Sequence, residues 1–509
     1  MPVARRSTLD RGLITASIML TTIMPLLDTT IANVALPSMQ GNLSATRDQI
    51  NWVLTSYIVA TAIMTAPAGA LAARLGRRRV FVVAVVGFTV ASMLCGAASS
   101  LVELVLFRVL QGGFGAALVP LSQAVLLDTY PREKHASAMA VWGLGVMVGP
   151  ILGPTLGGYI TEFYDWRWIF YINLPLGILA LLGILAFVPE TPRHAAGSFD
   201  YFGFIALCVA IGALQLMLDR GESQDWFAST EIVVEAVAAA LFLYMFLVHM
   251  FTTRHPFLEP GLFWDRNFAF GLILVFVVGV VHLGTLVLLP PFLQNLMGFP
   301  ALTTGYVIAP RGLGTMVGLI LVSRAARKID GRLLILFGMI FNAFSLWELS
   351  GFTAEVPVMT IVWTGFVQGL GLGFVFVPLS TMAFATLAPR YRTEGTAMFS
   401  LMRNIGGSIG ISVVVTLLTQ DIQVAHMEIA NGLTPFHAAL HGPWLPGTWD
   451  WRTAAGVAAL DGEVTRQAAT IAFLNDFTLL MWLAVLSTPL LLLVPKAKPQ
   501  KTATAFVED

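Results

Sequence analysis

Charged side chains are scarce in this chain. Asp, Glu, Lys and Arg make up 11% of its 509 residues, whereas a soluble domain carries about 25%. That scarcity excludes a string of soluble modules. Positive and negative residues balance at 29 each, for a net charge of zero, so nothing points to nucleic acid or to an acidic partner. Cysteine is nearly absent: Cys95 and Cys208 stand alone in separate apolar runs. No disulfide framework, CxxC metal site or redox pair is expected. The HExxH pattern and the phosphate-binding GxxxxGKS/T loop are missing as well. This argues against a zinc hydrolase and against a self-contained ATP-driven pump.

What is abundant is apolar sequence, 57% of the chain, recurring from end to end. A membrane helix needs about 20 mostly apolar residues. Fourteen segments meet that length, near 13–37, 50–72, 80–99, 103–127, 136–160, 167–188, 200–218, 230–251, 267–290, 300–323, 332–352, 357–384, 394–419 and 471–494. The expected fold class is an all-α membrane protein. The first apolar run is too long for a cleavable signal and contains Asp28, so none is expected. Lys and Arg concentrate on alternate links, as at Arg74, Arg77, Arg78 and Arg79, at Arg324 and Lys328, and at Arg390 and Arg392. By the positive-inside rule these links face the cytoplasm, and both termini with them.

The chain repeats itself. Pro120-Leu121-Ser122 is followed by Pro131-Arg132, and Pro378-Leu379-Ser380 is followed at the same distance by Pro389-Arg390. Upstream, Gln111-Gly112 corresponds to Gln368-Gly369. Helix 4 thus matches helix 12, which implies two six-helix halves with two helices inserted between them. The expected division is 1–195 for the first half, 196–255 for the insert and 256–509 for the second half. A long outer segment at about 420–470 belongs to the last of these; its first part continues helix 13 with Asp421, His426 and Glu428 facing water, a turn-rich middle follows, and Leu460 to Ala469 reads as a polar helix start leading into helix 14.

Several motifs stand in order on these helices. Helix 1 carries Asp28-Thr29-Thr30-Ile31-Ala32-Asn33 within the run Leu27–Pro37, and the helix 2–3 link runs from Gly69 through Arg74 and Gly76 to Arg79. Helix 4 has Arg108 with Gln111-Gly112. Helix 5 has Gly145, Gly149, Gly153 and Gly157 at four-residue spacing, with Pro150, Pro154 and Gly158 beside them. Trp166-Arg167-Trp168-Ile169-Phe170-Tyr171-Ile172-Asn173 enters helix 6, and Arg403-Asn404 precedes Gly406-Gly407 on helix 13. Together these residues resemble the major facilitator superfamily, in its fourteen-helix drug:proton antiporter branch of the EmrB/QacA type. The resemblance spans nearly the whole chain. It implies two six-helix bundles plus two inserted helices in a bacterial inner membrane, exporting lipophilic small molecules with protons as the coupling ion and no cofactor. It also implies a periplasmic adaptor joined to an outer-membrane channel, with the outer segment at 420–470 as the place where an adaptor docks.

Each motif also has its own physics. The four helix 5 glycines make a smooth stripe that a neighbouring backbone can approach closely, and Pro150 and Pro154 each remove a helical hydrogen bond. In the resembling family this run is the antiporter motif, and the Gly69–Arg79 link latches the two halves. Here Ala73 stands where that latch usually has an acid. The bare reading of the link is a positive-inside anchor.

A charge within the membrane is costly. Asp28 lies about 22 Å from the inner end of helix 1, and Arg108 about 8 Å from the outer end of helix 4, at 1.5 Å per residue. Both fall in the outer half, so they are expected as a proton-coupling pair. The alternative is a structural Asp28 bonded to Thr29, Thr30 and Asn33. Asn33, Gln111, Gln368, Arg403 and Asn404 are candidates for the substrate pathway. Glu348 and Asp128 lie near helix ends, and Glu235 lies in the insert. His249 and His282 read as satisfied core residues, and the His437/His441 pair lacks a further ligand for a metal. Phe374, Phe376, Met398, Phe399 and Met402 fit either a drug pocket or plain packing. Within transport, the competing reading is export of one metabolite such as a siderophore or fatty acid. Outside it, the competitor is an enzyme acting on lipid-linked substrates.

Overall fold

The computed structural model describes residues 8–131, 134–190, 200–254, 256–326, 328–433, 449 and 452–493. The helices of the first half are α1 (Thr8–Asn42), α2 (Arg47–Leu75), α3 (Arg77–Ala97), α4 (Leu101–Gly115), α5 (Leu118–Thr129), α6 (His135–Phe163), α7 (Trp168–Tyr171) and α8 (Asn173–Phe187). Then come α9 (Tyr201–Arg220) and α10 (Thr230–Thr252). The second half contains α11 (Arg266–Pro291), α12 (Ala301–Ala325), α13 (Gly331–Leu349), α14 (Val358–Ala385), α15 (Arg392–Gly432), α16 (Ala454–Ser487) and α17 (Leu490–Leu493). The pairs α4–α5, α7–α8 and α16–α17 each continue along one span. Thirteen of the resulting spans are long and apolar enough to cross a membrane. The other, α6, is 29 residues long and carries the apolar stretch His135–Gly149.

Local chemistry sets the boundaries. Thr46 and Gln49 form a reciprocal capping box at the start of α2, satisfying two amides that have no helical partner. Ser100, Asp200, Asp265, Asp330 and Thr453 cap α4, α9, α11, α13 and α16 through their side chains. Gly76 ends α2 and starts α3 at φ 93°, a backbone that favours glycine. Pro290 and Pro291 lack amide donors, and the chain after them widens into a π turn, Phe292–Leu296.

The two halves pack alike. In the first, α1 packs on α6 and α8, α2 on α4, and α3 on α4 and α8; in the second, α11 packs on α15 and α16, α12 on α14, and α13 on α14 and α16. The halves meet where α2 and α5 contact α15, and where α6 contacts α12 and α14. The inserted α9 lies against both α2 and α15, while α10 packs mainly on α9.

One expectation from sequence needs adjustment. Span 4, read as one helix, breaks at Ala116–Ala117 between α4 and α5. The described ends of the outer segment at 420–470 are helical, as expected: α15 runs to Gly432 and α16 begins at Ala454. At 1.5 Å per residue, the 41 residues of α15 reach about 60 Å, twice the roughly 30 Å hydrocarbon core. Polar residues make that extension compatible with water. His426 bonds Asp461 at 3.0 Å, and Asn475 donates to Asp421 at 3.1 Å, tying α15 to α16. His437, His441 and the stretch from Pro435 to Pro446 lie outside the described residues.

Candidate functional site

The densest polar cluster of the first half gathers on Asp28. Its carboxylate is buried, and so is the Arg108 guanidinium, at 2% and 0% exposure. Arg108 Nη1 donates to Asp28 Oδ2 at 2.5 Å, and its Nε donates to the Val53 carbonyl at 3.0 Å. Gln111 Nε2 and Asn173 Nδ2 both donate to Asp28 Oδ1, at 2.8 and 3.0 Å. Gln111 also accepts from Arg108 at 2.8 Å. Asn173 is positioned in turn through Ser92, which donates to the Phe170 carbonyl. The Tyr57 ring faces the guanidinium at 4.1 Å, a cation–π contact.

Two helices, α4 and α8, thus aim three donors at one carboxylate of a third, α1. The fold brings Asp28, Arg108 and Gln111 together and leaves Asn33 out: that side chain is exposed, further along α1. Thr29 and Thr30 bond back to their own helix instead of to Asp28. Asn173, Ser92 and Tyr57 complete the cluster without having been singled out from sequence. Asn173 stood at the end of the Trp166–Asn173 motif, which was its signal. Ser92 and Tyr57 lie in apolar runs with no such mark.

The glycine stripe of α6 packs directly on α1, the helix that carries Asp28. A Cβ on Gly149 would stand 2.8 Å from the Leu26 backbone, and one on Gly157 would stand 3.2 Å from Ile31 Cα. On Gly145 and Gly153 it would run into Met19 and Thr30. Thr30 Oγ1 also donates to the Gly149 carbonyl at 3.1 Å. Gly158 has nothing within 4 Å and takes no part in this contact. Helix α6 continues through Pro150 and Pro154, whose side chains lie outside the described residues.

At the basic end of the molecule the halves are tied together. Asp128 of α5 pairs with Arg77 from the α2–α3 link and with Arg392 at the start of α15, the latter at 2.6 Å. Arg77 Nε also donates to Thr393 Oγ1 across the halves at 2.7 Å. Gly69 allows α2 to approach so closely that a Cβ there would lie 2.9 Å from Glu394 Cα. Arg74 sits near enough for its charge to act on Glu394. The acid missing at Ala73 therefore has a counterpart in Asp128, a residue read from sequence only as lying near a helix end.

The second half repeats part of the Asp28 arrangement with different chemistry. Gln368 Nε2 lies 3.4 Å from Thr285 Oγ1 across the same 83-residue separation that links Gln111 to Asp28. Arg311 of α12 is 6% exposed and donates to His282 Nδ1 at 3.0 Å. Arg403 is half-buried, with its guanidinium 5.9 Å from the Phe376 ring, and Phe376 stacks on Trp142 of the first half. Asn404 is half-buried beside it. Met398 and Phe399 are core residues, while Phe374, Phe376 and Met402 are partly buried around that core.

The remaining polar positions are structural in geometry. Glu348 accepts from Thr364 at 2.7 Å, and Glu235 approaches Arg220 at 4.0 Å. His249 bonds Asp200 at 2.8 Å. Burial works against ionised Asp200, but hydrogen bonds from the Gly203 amide, His249 and the Phe257 amide outweigh it and hold its carboxyl below the usual carboxylate range. A GxSxG pattern does occur, at Gly406–Gly410, but Ser408 lies inside α15 and accepts from Gln215 at 2.9 Å. It does not stand on the exposed strand-to-helix turn that a serine nucleophile needs.

Comparison with known proteins agrees with this architecture. The profile of the Major Facilitator Superfamily matches residues 18–411. The chain is 38% identical over 429 residues to the fatty acid resistance protein FarB of Neisseria gonorrhoeae, covering 84% of this chain and 85% of that one. It is 36% identical over 427 residues to the multidrug export protein EmrB of Escherichia coli strain K12, covering 84% and 83%. Among solved structures, a bacterial homologue of the human lysosomal transporter Spinster aligns with a TM-score of 0.55 at 15% identity, covering 96% of this chain and 97% of that one. That likeness concerns the fold alone.

Proposed function

The chain belongs to the Major Facilitator Superfamily, and on that premise we propose that it exports hydrophobic drugs and other toxic compounds across the bacterial inner membrane in exchange for protons. It is a multi-pass membrane transporter. The export reading is supported by the names of its relatives, a multidrug export protein and a fatty acid resistance protein. The second of these names also favours the narrower reading, a dedicated exporter of one metabolite class.

The observation that carries proton coupling is the buried pair of Asp28 and Arg108. Three donors converge on this carboxylate, an arrangement that fits its charged form. Protonating Asp28 would remove the counter-charge of a guanidinium with no access to water. Leaving one member of a buried pair alone costs about 3–5 kcal/mol. One elementary charge crossing the membrane supplies about 2.3 kcal/mol per 100 mV, the same order. A proton arriving at Asp28 is therefore matched in energy to releasing Arg108. Arg108 is anchored by the Val53 carbonyl of α2, Asp28 rides on α1, and α1 packs on the α6 glycine stripe. Breaking the pair thus acts on helices that contact the other half.

The contacts of Asp128 with Arg77 and Arg392 close the basic end, which the positive-inside rule puts at the cytoplasm. Partly exposed ion pairs contribute about 0–1 kcal/mol each, so this latch is weak enough to open in every cycle. We assign residues 1–195 and 256–509 to the two moving halves and 196–255 to the insert. The α15–α16 extension is the surface we assign to a periplasmic adaptor leading to an outer-membrane channel. The test is transport by proteoliposomes under an imposed pH gradient, with a panel of lipophilic cations and weak acids. Gradient-driven accumulation of panel members supports the reading, and gradient-independent movement of all of them contradicts it.

A further inference from the structure

The two halves differ at one point in their charge balance. In the first half, a buried guanidinium, Arg108, is answered by Asp28. In the second half, the residue 257 positions after Asp28 is Thr285, and the residue 257 positions after Arg108 is Gly365. The guanidinium comes instead from the neighbouring helix: Arg311 of α12 packs at Gly365, where an added Cβ would lie 3.8 Å from Arg311 Cβ. The second half has thus kept a buried cation and has no carboxylate in the place of its counter-ion.

No other acid makes up for this among the described residues. Helices α11, α12 and α14 carry no Asp or Glu at all. The acids of α15 (Glu394, Asp421 and Glu428) stand toward its ends. Glu348 of α13 is engaged by Thr364, and the buried Asp476 of α16 makes no ion pair within 4.0 Å of Arg311 or Arg403. Arg311 Nη2 bonds the His282 ring and its carbonyl, at 3.0 and 3.3 Å, while Nε and Nη1 are buried with no acceptor. An arginine only donates, so His282 Nδ1 accepts and the ring contributes no negative charge. Arg403 is close enough for its charge to act on the same ring. Gln368 Oε1 is buried without a partner as well. A guanidinium held like this in a membrane protein is a strong site for an anion.

We propose that Arg311, with His282 and Arg403, forms the site that holds the carboxylate of a lipophilic weak acid. The head group takes the place in the second half that Asp28 holds in the first, accepting from Arg311. Arg403 is a second, half-buried cation near the His282 ring. Beside it the Phe376 and Trp142 rings, stacked at 5.8 Å across the two halves, offer an apolar surface for the tail. This inference rests on the export reading above, and its test separates the two.

The test is calorimetric titration of the purified full-length transporter in nanodiscs with dodecanoate and with dodecyltrimethylammonium, two ligands with the same chain and opposite charge. Arg311→Gln is expected to lower the dodecanoate-to-ammonium affinity ratio at least tenfold, and Arg311→Lys to lower it less. Thr285→Asp supplies the internal counter-ion that the first half has, and is expected to lower the same ratio at least tenfold with Arg311 intact. That second variant keeps the test open if Arg311→Gln fails to fold. An unchanged ratio in the folded variants overturns the proposal. So does an Arg311-dependent rise in melting temperature with chloride but none with dodecanoate, which would make the pocket an inorganic-anion site. The export reading is judged separately, by whether the wild type moves any panel compound at all.

Discussion

Arg108 and Asp28, separated by 80 residues of chain, meet at 2.5 Å in a position where neither side chain reaches water. The contact joins α4 to α1, and α1 in turn lies in the groove made by the α6 glycines. Charge state and helix packing are therefore coupled at one place, and the predictions below separate the two.

Packing comes first. Gly153→Leu would force α6 away from Thr30, and Gly149→Leu would force it from the Leu26 backbone. Overpacking of this kind costs about 1–3 kcal/mol, and backbone on the opposing side leaves little room to adjust. Either variant should lower the melting temperature in detergent and abolish coupled transport. Gly158→Leu, at a position with open space, should do neither. Equal tolerance at all three sites would show that the stripe does not set the helix spacing.

The cytoplasmic latch makes a separate prediction. Asp128→Asn removes the contacts to both Arg77 and Arg392. Two partly exposed pairs together contribute up to about 2 kcal/mol, so the balance of two states shifts by at most about thirtyfold at roughly 1.4 kcal/mol per decade. Cysteines placed along the inner end of α15 should label faster from the cytoplasmic side in this variant. A double-mutant cycle with Arg392→Gln should show coupling. Unaltered labelling would mean that the latch does not hold the closed state.

Asp200 ties the insert to the second half. It caps α9, bonds His249 of α10 and accepts from the Phe257 amide that leads to α11. Its carboxyl sits below the usual carboxylate range, since these hydrogen bonds outweigh burial. A carboxyl with a depressed folded-state pKa contributes stability above its unfolded pKa and loses it as pH falls through the folded one. Asn can still cap the helix, so Asp200→Asn should lower the melting temperature at pH 7 only by what charge adds to these hydrogen bonds, about 1 kcal/mol. The gap from wild type should close toward pH 3. A gap that stays constant with pH would rule out the charged carboxylate as the source.

The α15–α16 extension is predicted to serve a partner and not the transport step. Deleting roughly 432–456 and rejoining the chain should leave proteoliposome transport intact and abolish resistance in whole cells. Survival of both activities would contradict adaptor docking there.

Much of this was legible in the sequence, for physical reasons. Apolar runs of membrane length and the alternation of basic links identify spans because a bilayer leaves few other options. Asp28 and Arg108 stood out because charge is so rare between them. Depth along each helix placed them in the same layer. Asn173, Ser92 and Tyr57 could not be assigned the same way, since uncharged polar residues are common in such helices and only tertiary contact shows which carboxylate they serve. Asn33 shows the converse: five residues from Asp28 along the same helix, it faces elsewhere. The missing acid at Ala73 was visible, but its counterpart Asp128 lies on a different helix and becomes apparent only when α5 packs on α15. The extension of α15 beyond the bilayer was legible as well, because Asp421, His426 and Glu428 let the helix continue into water.

Proton exchange at Asp28 is the central claim, and proton movement itself tests it most directly. Wild-type transporter and Asp28→Asn are reconstituted with a trapped pH-sensitive dye, and a transported lipophilic compound is added without any imposed gradient. Wild type should move protons across the membrane opposite to the compound, in an amount proportional to it. Compared at equal amounts of folded protein, Asp28→Asn should bind the compound yet move no protons. Proton movement by Asp28→Asn equal to wild type would contradict the account.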